Sequence, residues 1–155
     1  MHGIRFSLII CTYMRPESLL GLLQSVEKQL LYPSQILIID GSHNVETKRI
    51  LEENQFQNLE YILVSQENRG LTKQRNYGIS KVNLDAEVVC FLDDDTVLEK
   101  DYFYEVIETF KNNLDVSGVG GVAINEYKWK FQEPNAIYDL KKYYLFEGYY
   151  YKEGL

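Results

Sequence analysis

Three consecutive acids, Asp93, Asp94 and Asp95, follow an apolar run at 88–92. That run has the length and the β-branched and aromatic content of a strand buried on both faces. Two carboxylates about 4 Å apart repel each other by about 1 kcal/mol in water and by about 4 kcal/mol in a half-buried site. One Asp would suffice to cap a following helix, whereas three favour a cation site. Carboxylate oxygens are hard ligands that suit Mg²⁺ or Mn²⁺.

The elements that must position these acids alternate along the chain. Continuous apolar runs predict strands at 6–12, 35–40, 59–64 and 87–92, and a further strand interrupted by glycines at 116–124. Helical spacing of apolar residues predicts helices at 17–30, at 45–53, from Gly70 to about residue 82, and at 101–110.

This alternation is the pattern of β-α-β units, so the expected fold class is α/β with a mostly parallel, doubly wound sheet and helices on both faces. Such sheets bind ligands beyond the carboxyl ends of the strands, where the strand order switches. Thr12 and Tyr13, Asp40 and the three acids all lie at strand carboxyl ends, so we expect them to share one rim.

Three other charged residues fit a ligand site at this rim. Asp40 could accept hydrogen bonds from a base or a ribose, and Arg75 could offer a planar guanidinium. Arg15 precedes a helix N-terminus, where anions are favoured. Each alone has an ordinary explanation, since Asp40 could be a turn residue and Arg75 a surface charge. Together they indicate a metal-bound nucleotide or nucleotide sugar.

Composition limits the possible partners and location. The net charge of −7 argues against sequence-independent binding to nucleic acid. Cys11 and Cys90 lie in apolar runs, which predicts buried thiols in a reducing compartment. The sequence has no signal peptide pattern and no apolar run long enough to span a membrane. A cytoplasmic protein is therefore expected.

The region after residue 126 differs, because ten of the 21 aromatic residues lie at 127–155. We predict a nucleotide-sugar-binding α/β core at 1–126 and an aromatic-rich extension of the same domain at 127–155. The extension could cover the sheet as β-structure, or it could expose aromatic side chains to a sugar acceptor or to a second copy of the chain.

Four segments, in this order, resemble the motifs of the inverting family 2 glycosyltransferases, which have the A-type nucleotide-sugar-binding fold. They are IICTYMRPE at 9–17, ILIIDGS at 36–42, ENRGLTKQRNYG at 67–78 and CFLDDD at 90–95. The resemblance covers about residues 6–124. It implies an enzyme that transfers a sugar from a nucleotide-diphosphate sugar, with UDP favoured, for the synthesis of cell-surface polysaccharide.

The resemblance also implies roles for individual residues. Thr12 and Tyr13 would cradle the nucleotide base, and Asp40 would contact that base. Arg75 would contact the donor nucleotide. The final acid, Asp95, would reach a Mg²⁺ or Mn²⁺ ion, with Asp93 as the second metal ligand, and Asp93 and Asp94 would reach the ribose. Arg15 completes the predicted donor site.

The chain departs from the family pattern at two points. Gly41 follows Asp40 directly, where the family usually has a further Asp or Asn. The family's general base, often in a Glu-Asp pair, has no match, because the sequence contains no Glu-Asp dipeptide. Glu126, Glu133, Asp139 and Glu147 are available for that role. We expect the donor-binding part of a longer enzyme, in the cytoplasm or peripheral at the inner membrane face, whose acceptor is a glycan, a lipid-linked sugar or a protein.

Other functional classes remain open from the residues alone. Asp93-Asp94-Asp95-Thr96-Val97 also resembles the nucleophile loop of haloacid-dehalogenase-type phosphatases, with Asp93 and Asp95 as the acting acids. That loop belongs on a first strand, and here it follows the fourth. A sugar nucleotidyltransferase would need a Gly-rich phosphate loop after the first strand, where the chain has residues 11–16 without glycine. A non-catalytic nucleotide-sugar-binding module is the third alternative.

Overall fold

The computed structural model describes residues 3–121, together with two short strand backbones nearer the C-terminus. Strands and helices alternate as the sequence predicts. The elements are β1 (Phe6–Thr12), α1 (Pro16–Val26), β2 (Gln35–Asp40), α2 (Glu46–Asn54), β3 (Leu59–Leu63), α3 (Leu71–Ile79), β4 (Val88–Asp93), α4 (Tyr102–Asn112), β5 (Tyr143–Phe146) and β6 (Tyr149–Lys152). A single 3₁₀ turn at Gln66–Asn68 precedes α3.

The first four strands form one parallel sheet in the order β3-β2-β1-β4. The chain steps outward from β1 to β2 and β3, and then crosses to the other side of β1 to add β4. The strand order therefore switches between β1 and β4, which is where ligands bind in sheets of this kind. The predicted parallel, doubly wound α/β sheet is confirmed.

One face of the sheet carries most of the hydrophobic core. Leu8 and Ile10 of β1 and Ile36 and Ile38 of β2 are fully buried against α1, α2 and α4. Each such side chain contributes about 1.5–3 kcal/mol through removal of apolar surface from water. The alternating side-chain direction of a strand sends the intervening residues to the opposite face.

Helix α3 covers that opposite face, over Ile9, Leu37 and Ile39. Gly78 allows the close approach, because a Cβ there would lie 2.7 Å from Cγ2 of Ile9. Helices thus lie on both faces of the sheet, as predicted.

The prediction that the strand before the three acids is buried on both faces is wrong. β4 is the edge of the sheet among the described residues, and its side chains alternate between half-buried and exposed. Val89 and Phe91 are 36% and 40% exposed. α3 packs over β1 and β2, so β4 keeps one apolar face uncovered within the described part of the chain.

Three predicted boundaries also differ from the structure. The first helix ends at Val26 rather than at residue 30, and Leu30 is exposed. The third helix ends at Ile79, and a turn follows in which the Val82 N–H donates to the carbonyl of Ile79. The strand predicted at 116–124 is absent from 116–121, which are irregular. Glycines at 118, 120 and 121 disfavour a strand there, and 122–124 lie outside the described residues.

The described part of the C-terminal region is a strand pair. β5 and β6 are antiparallel, with Tyr143 opposite Lys152 and Phe146 opposite Tyr149. The predicted division into 1–126 and 127–155 stays a prediction, because residues 122–142 lie outside the described part. Among the described residues, no helix has the length and apolar character to cross a membrane.

Candidate functional site

The strand register brings the predicted site residues to one edge of the sheet. Thr12, the last residue of β1, lies opposite Asp40, the last residue of β2. Cys11 lies opposite Asp93, the last residue of β4. The expectation that these strand ends share one rim is confirmed.

Thr12 holds the middle acid of the cluster. Its hydroxyl donates a hydrogen bond of 2.7 Å to Oδ2 of Asp94. Both side chains are buried, with exposures of 3% and 6%. Asp94 therefore points into the protein, whereas the side chains of Asp93 and Asp95 are 65% and 62% exposed.

Arg15 bridges two of the acids. Its Nη1 lies 3.3 Å from Oδ1 of Asp94 and 3.2 Å from Oδ2 of Asp95. The hydrogen bond to Asp94, followed by the charges of both acids, raises the pKa of Arg15 above its ordinary value. Arg15 is the residue immediately before α1, so the cation and the helix N-terminus lie together.

Arg75 of α3 accompanies the remaining acid. Its Nη2 donates to Oδ1 of Asp93 at 3.0 Å, and its guanidinium lies 5.9 Å from the ring centroid of Phe91. The mutual repulsion expected of three adjacent acids is thus offset by two arginines. The predicted position of Arg75 at the rim agrees with the structure.

Asp40 lies in a different environment. It is fully buried, and both carboxyl oxygens have partners within the protein. Oδ1 accepts from the Ser42 N–H at 2.8 Å, and Oδ2 accepts from the Tyr61 hydroxyl at 2.9 Å. Burial, together with the hydrogen bond to Asp40, raises the pKa of Tyr61. A base contact by Asp40 stays a prediction.

Tyr13 stands at the mouth of the site beside two residues that the sequence did not single out. Its ring is half exposed and meets His43 edge to face, with centroids 5.6 Å apart. Nη1 of Arg69 lies 2.8 Å from Nδ1 of His43, and Nη2 of Arg69 donates to the Ser42 carbonyl. The Nε atom of Arg69 is buried without a hydrogen-bond partner. Both residues lie in loops, where sequence pattern gave no signal.

A cavity of about 560 Å³ opens among these groups. Its lining comes from the ends of β1 and β4, the residue before α1 and the start of α3: Cys11, Thr12, Tyr13, Arg15, Arg69, Gly70, Leu71, Gln74, Asp93, Asp94 and Asp95. Such a volume is within the range of small-molecule sites. Asp40 lies behind this surface rather than on it.

The two cysteines are both free. Burial raises the pKa of the Cys11 thiol to about 11, with Arg75 lowering it and Asp93 and Asp94 raising it further. Burial also raises the pKa of Cys90 to about 11. Both thiols therefore stay protonated near neutral pH, the form in which a thiol is a weak nucleophile.

The carboxylate oxygens at this site fit a divalent metal ion that also coordinates a bound ligand. Asp93 and Asp95 turn exposed carboxylates toward the cavity, and Mg²⁺ commonly uses one or two carboxylates together with substrate phosphates. Within the described residues, no three His, Cys, Asp or Glu side chains converge on one point. The acids therefore suit a metal whose coordination is completed by a bound ligand rather than a closed protein cage.

This fold and site define a class: an α/β domain with a ligand cavity and a carboxylate cluster at the switch in strand order, as in proteins that bind nucleotides there. The chain belongs to glycosyl transferase family 2, because the family model with that description matches residues 7–154. The resemblance drawn from the four motifs is confirmed, and the phosphatase alternative loses its support.

A named relative and two solved structures extend this finding. The glucosyl-dolichyl phosphate glucuronosyltransferase of Haloferax volcanii is 28% identical over 135 residues, which are 84% of this chain and 41% of that protein. S. aureus TarS 1–349 in complex with UDP-GlcNAc aligns with a TM-score of 0.61 and 22% identity, over 77% of this chain and 37% of that one.

The mannosyltransferase PcManGT from Pyrobaculum calidifontis, in complex with GDP-Man and Mn²⁺, aligns with a TM-score of 0.60 and 19% identity. This match covers 71% of the present chain and 33% of the mannosyltransferase. These structures establish the A-type glycosyltransferase fold. The chain spans less than half the length of each of the three proteins.

Proposed function

We propose that this chain is the donor-binding part of an inverting glycosyltransferase that uses a nucleotide-diphosphate sugar. The observation that carries the proposal is the arrangement of Thr12, Arg15 and the three acids around one cavity at the switch in strand order, with Arg75 paired to one of those acids, Asp93. UDP is the favoured nucleotide. The name of the Haloferax relative, a glucuronosyltransferase, supports sugar transfer. The UDP-GlcNAc in the TarS complex supports UDP as the nucleotide.

The residues of the site suit different parts of a nucleotide sugar according to their chemistry. Tyr13 offers a half-exposed aromatic face to a nucleotide base. Arg15 and Arg75 offer guanidinium groups, which match the geometry of phosphate oxygens. In the absence of ligand these arginines are paired with the acids, so donor binding must exchange acid–arginine contacts for contacts with the donor.

A Mg²⁺ or Mn²⁺ ion would be held by Asp95 and Asp93, the two acids with exposed carboxylates. When bound, such an ion supplies positive charge to the diphosphate leaving group. Asp94 lies between these two acids in the sequence, and its buried carboxylate is held by hydrogen bonds from Thr12 and Arg15. The Mn²⁺ in the PcManGT complex supports the choice of metal.

Transfer with inversion requires a base that takes the proton from the acceptor hydroxyl as it attacks the anomeric carbon. The candidates Glu126, Glu133, Asp139 and Glu147 all lie outside the described residues. We assign the base, and the acceptor site, to a longer protein of which this chain is part. Efficient sugar transfer by the 155-residue chain alone would contradict this assignment.

The acceptor class and the location are also proposals. The lipid-linked sugar in the name of the Haloferax relative favours an acceptor of that kind. We place the full-length protein in the cytoplasm or at the inner face of the membrane, supported by the free thiols that reducing compartments maintain. Cell fractionation with an antibody to this domain tests the location.

Titration calorimetry with UDP, GDP and TDP in the presence of Mn²⁺ tests the donor class. We expect UDP to bind most tightly, and binding of none of the three would refute the proposal. A parallel assay with a generic phosphate ester should give no hydrolysis. Turnover that Asp93→Asn abolishes would instead support a phosphatase.

A further inference from the structure

Gln74, on the face of α3 that packs against the sheet, uses its whole amide group inside the protein. The side chain is buried, at 4% exposure. Its Nε2 donates to the carbonyl of Ile39 at 2.7 Å and to the carbonyl of Thr12 at 3.1 Å. Its Oε1 accepts from the Gly70 N–H at 3.2 Å. One side chain thus joins the carboxyl ends of two strands to the loop before α3.

The contact at Thr12 matters most, because Thr12 is shared by several parts of the site. The Thr12 carbonyl also accepts from the Gly41 N–H at 3.0 Å. The Thr12 hydroxyl holds Asp94, the buried member of the acid cluster. A continuous series of hydrogen bonds therefore runs from the amide of Gln74 through Thr12 to the acids.

Gly41 leaves the space that this amide needs. A Cβ at residue 41 would lie 3.1 Å from Oε1 and 3.4 Å from Cδ of Gln74. The backbone at Gly41 does not have a positive φ, so its conformation does not require glycine. The constraint at residue 41 is steric, because a Cβ there would press against the amide of Gln74.

We propose that Gln74 is a positioning residue of the donor site, with Gly41 as its steric counterpart. Gln74 fixes the end of β1 against the end of β2, and through Thr12 it fixes Asp94 under Asp93 and Asp95. Loss of the amide removes a donor from the Ile39 and Thr12 carbonyls and an acceptor from the Gly70 N–H, and the Thr12 carbonyl then keeps only the Gly41 N–H among the contacts described above. The binding part of this proposal rests on the proposed function, whereas the Gly41–Gln74 pairing does not.

The test of the binding role uses Gln74→Met, which keeps the length of the side chain and removes its hydrogen bonds. We expect UDP affinity in the presence of Mn²⁺ to fall about tenfold, as for the loss of a buried hydrogen-bond partner. The control is Ile36→Val at the amino end of β2, a buried core substitution that removes one methyl group far from the cavity lining. This control should lower Tm without changing UDP affinity, which separates positioning from general destabilisation.

The test of the pairing is a thermal-unfolding cycle on Gly41→Ala, Gln74→Ala and the double variant. Gly41→Ala should lower Tm by about 5 °C beside Gln74 and by less than about 2 °C beside Ala at position 74. This cycle, together with the UDP affinity of Gln74→Ala, also serves if Gln74→Met folds poorly.

The steric pairing, the positioning role and the proposed function can each be refuted by a different result. Equal Tm losses from Gly41→Ala in both backgrounds would refute the steric pairing. Unchanged UDP affinity in folded Gln74→Met or Gln74→Ala would refute the positioning role. Failure of the unmodified chain to bind any nucleotide would refute the proposed function and the binding role with it, and the Tm cycle would still decide the pairing.

Discussion

Strands β2 and β4 both end in acidic residues, but the carboxylates at the two ends differ in burial and in their hydrogen-bond partners. At the end of β2, Asp40 is fully buried and is satisfied by uncharged donors, the Ser42 N–H and the Tyr61 hydroxyl. At the end of β4, three acids cluster, two of them exposed, and arginines accompany them. The first arrangement holds the architecture, while the second can exchange its partners for a ligand.

The largest expected difference between the two ends is in stability. Asp40→Ala leaves the buried Ser42 N–H and the half-buried Tyr61 hydroxyl without this partner, so we expect the free energy of unfolding to fall by about 2–4 kcal/mol. Asp95→Ala should change it by less than about 0.5 kcal/mol, because an exposed ion pair contributes little. Urea unfolding of the two variants measures both values, and similar losses would remove the distinction.

Binding should show the reverse order. We expect Asp95→Ala to weaken UDP binding in the presence of Mn²⁺ about tenfold, equivalent to about 1.4 kcal/mol. Glu52→Gln is the control, because it removes an exposed acid on α2 that pairs with Lys48. Calorimetry should give the unmodified affinity for Glu52→Gln. An unchanged affinity for Asp95→Ala would exclude it as a metal ligand.

The Asp40 end should also respond to alkaline pH. The raised pKa of Tyr61 means that the unfolded state releases this proton at lower pH than the folded state. Its contribution is fully present below the ordinary pKa of Tyr, about 10, and is lost as pH rises toward the folded-state pKa. Tyr61→Phe should cost about 1 kcal/mol at pH 7.

The pH dependence isolates that contribution. Urea unfolding from pH 8 to 11 should show a smaller decline for Tyr61→Phe than for the unmodified chain. Parallel curves for the two proteins would mean that Asp40 does not hold the phenol proton.

The smallest expected effect is at Met14, in the loop between β1 and α1. Met14 has a φ of 56°, in the left-handed region, and its N–H donates to the Ser42 hydroxyl. Residues other than glycine are strained there, and Asn is tolerated better than Met. Met14→Asn should therefore stabilise the fold by about 0.5 kcal/mol. Thermal unfolding measures the change, and a lower Tm would show that the Met side chain contributes more than its backbone strain costs.

The sequence predicted the shared rim because continuous apolar runs end at Thr12, Asp40 and Asp93, and parallel strands align such ends. It did not predict the partners of those residues. Gln74 reaches Thr12 and Ile39 across 62 and 35 positions of the chain, and no local periodicity records such contacts. The sequence feature that could have indicated these contacts is a Gln on the sheet-facing side of a helix, next to Arg75 at the rim.

Two sequence predictions, the burial of β4 and the end of the first helix, fail because local composition does not record packing. The composition of β4 indicated burial on both faces, but burial also depends on what packs over Val89 and Phe91. Apolar spacing predicts that the first helix continues to Leu30, yet the Leu30 N–H donates to the Lys100 carbonyl. At Leu30 a distant segment supplies the hydrogen-bond partner, and at β4 the described residues leave one face partly exposed. A local sequence pattern contains neither fact.

The central claim is that metal and nucleotide bind together at the acids of β4. Titration of Mn²⁺ into the unmodified chain, followed by electron paramagnetic resonance with and without saturating UDP, tests it directly. Coupled binding is reciprocal, so each ligand must strengthen the other by the same factor. We predict that UDP tightens Mn²⁺ binding at least tenfold. Equal Mn²⁺ affinity with and without UDP would contradict the claim.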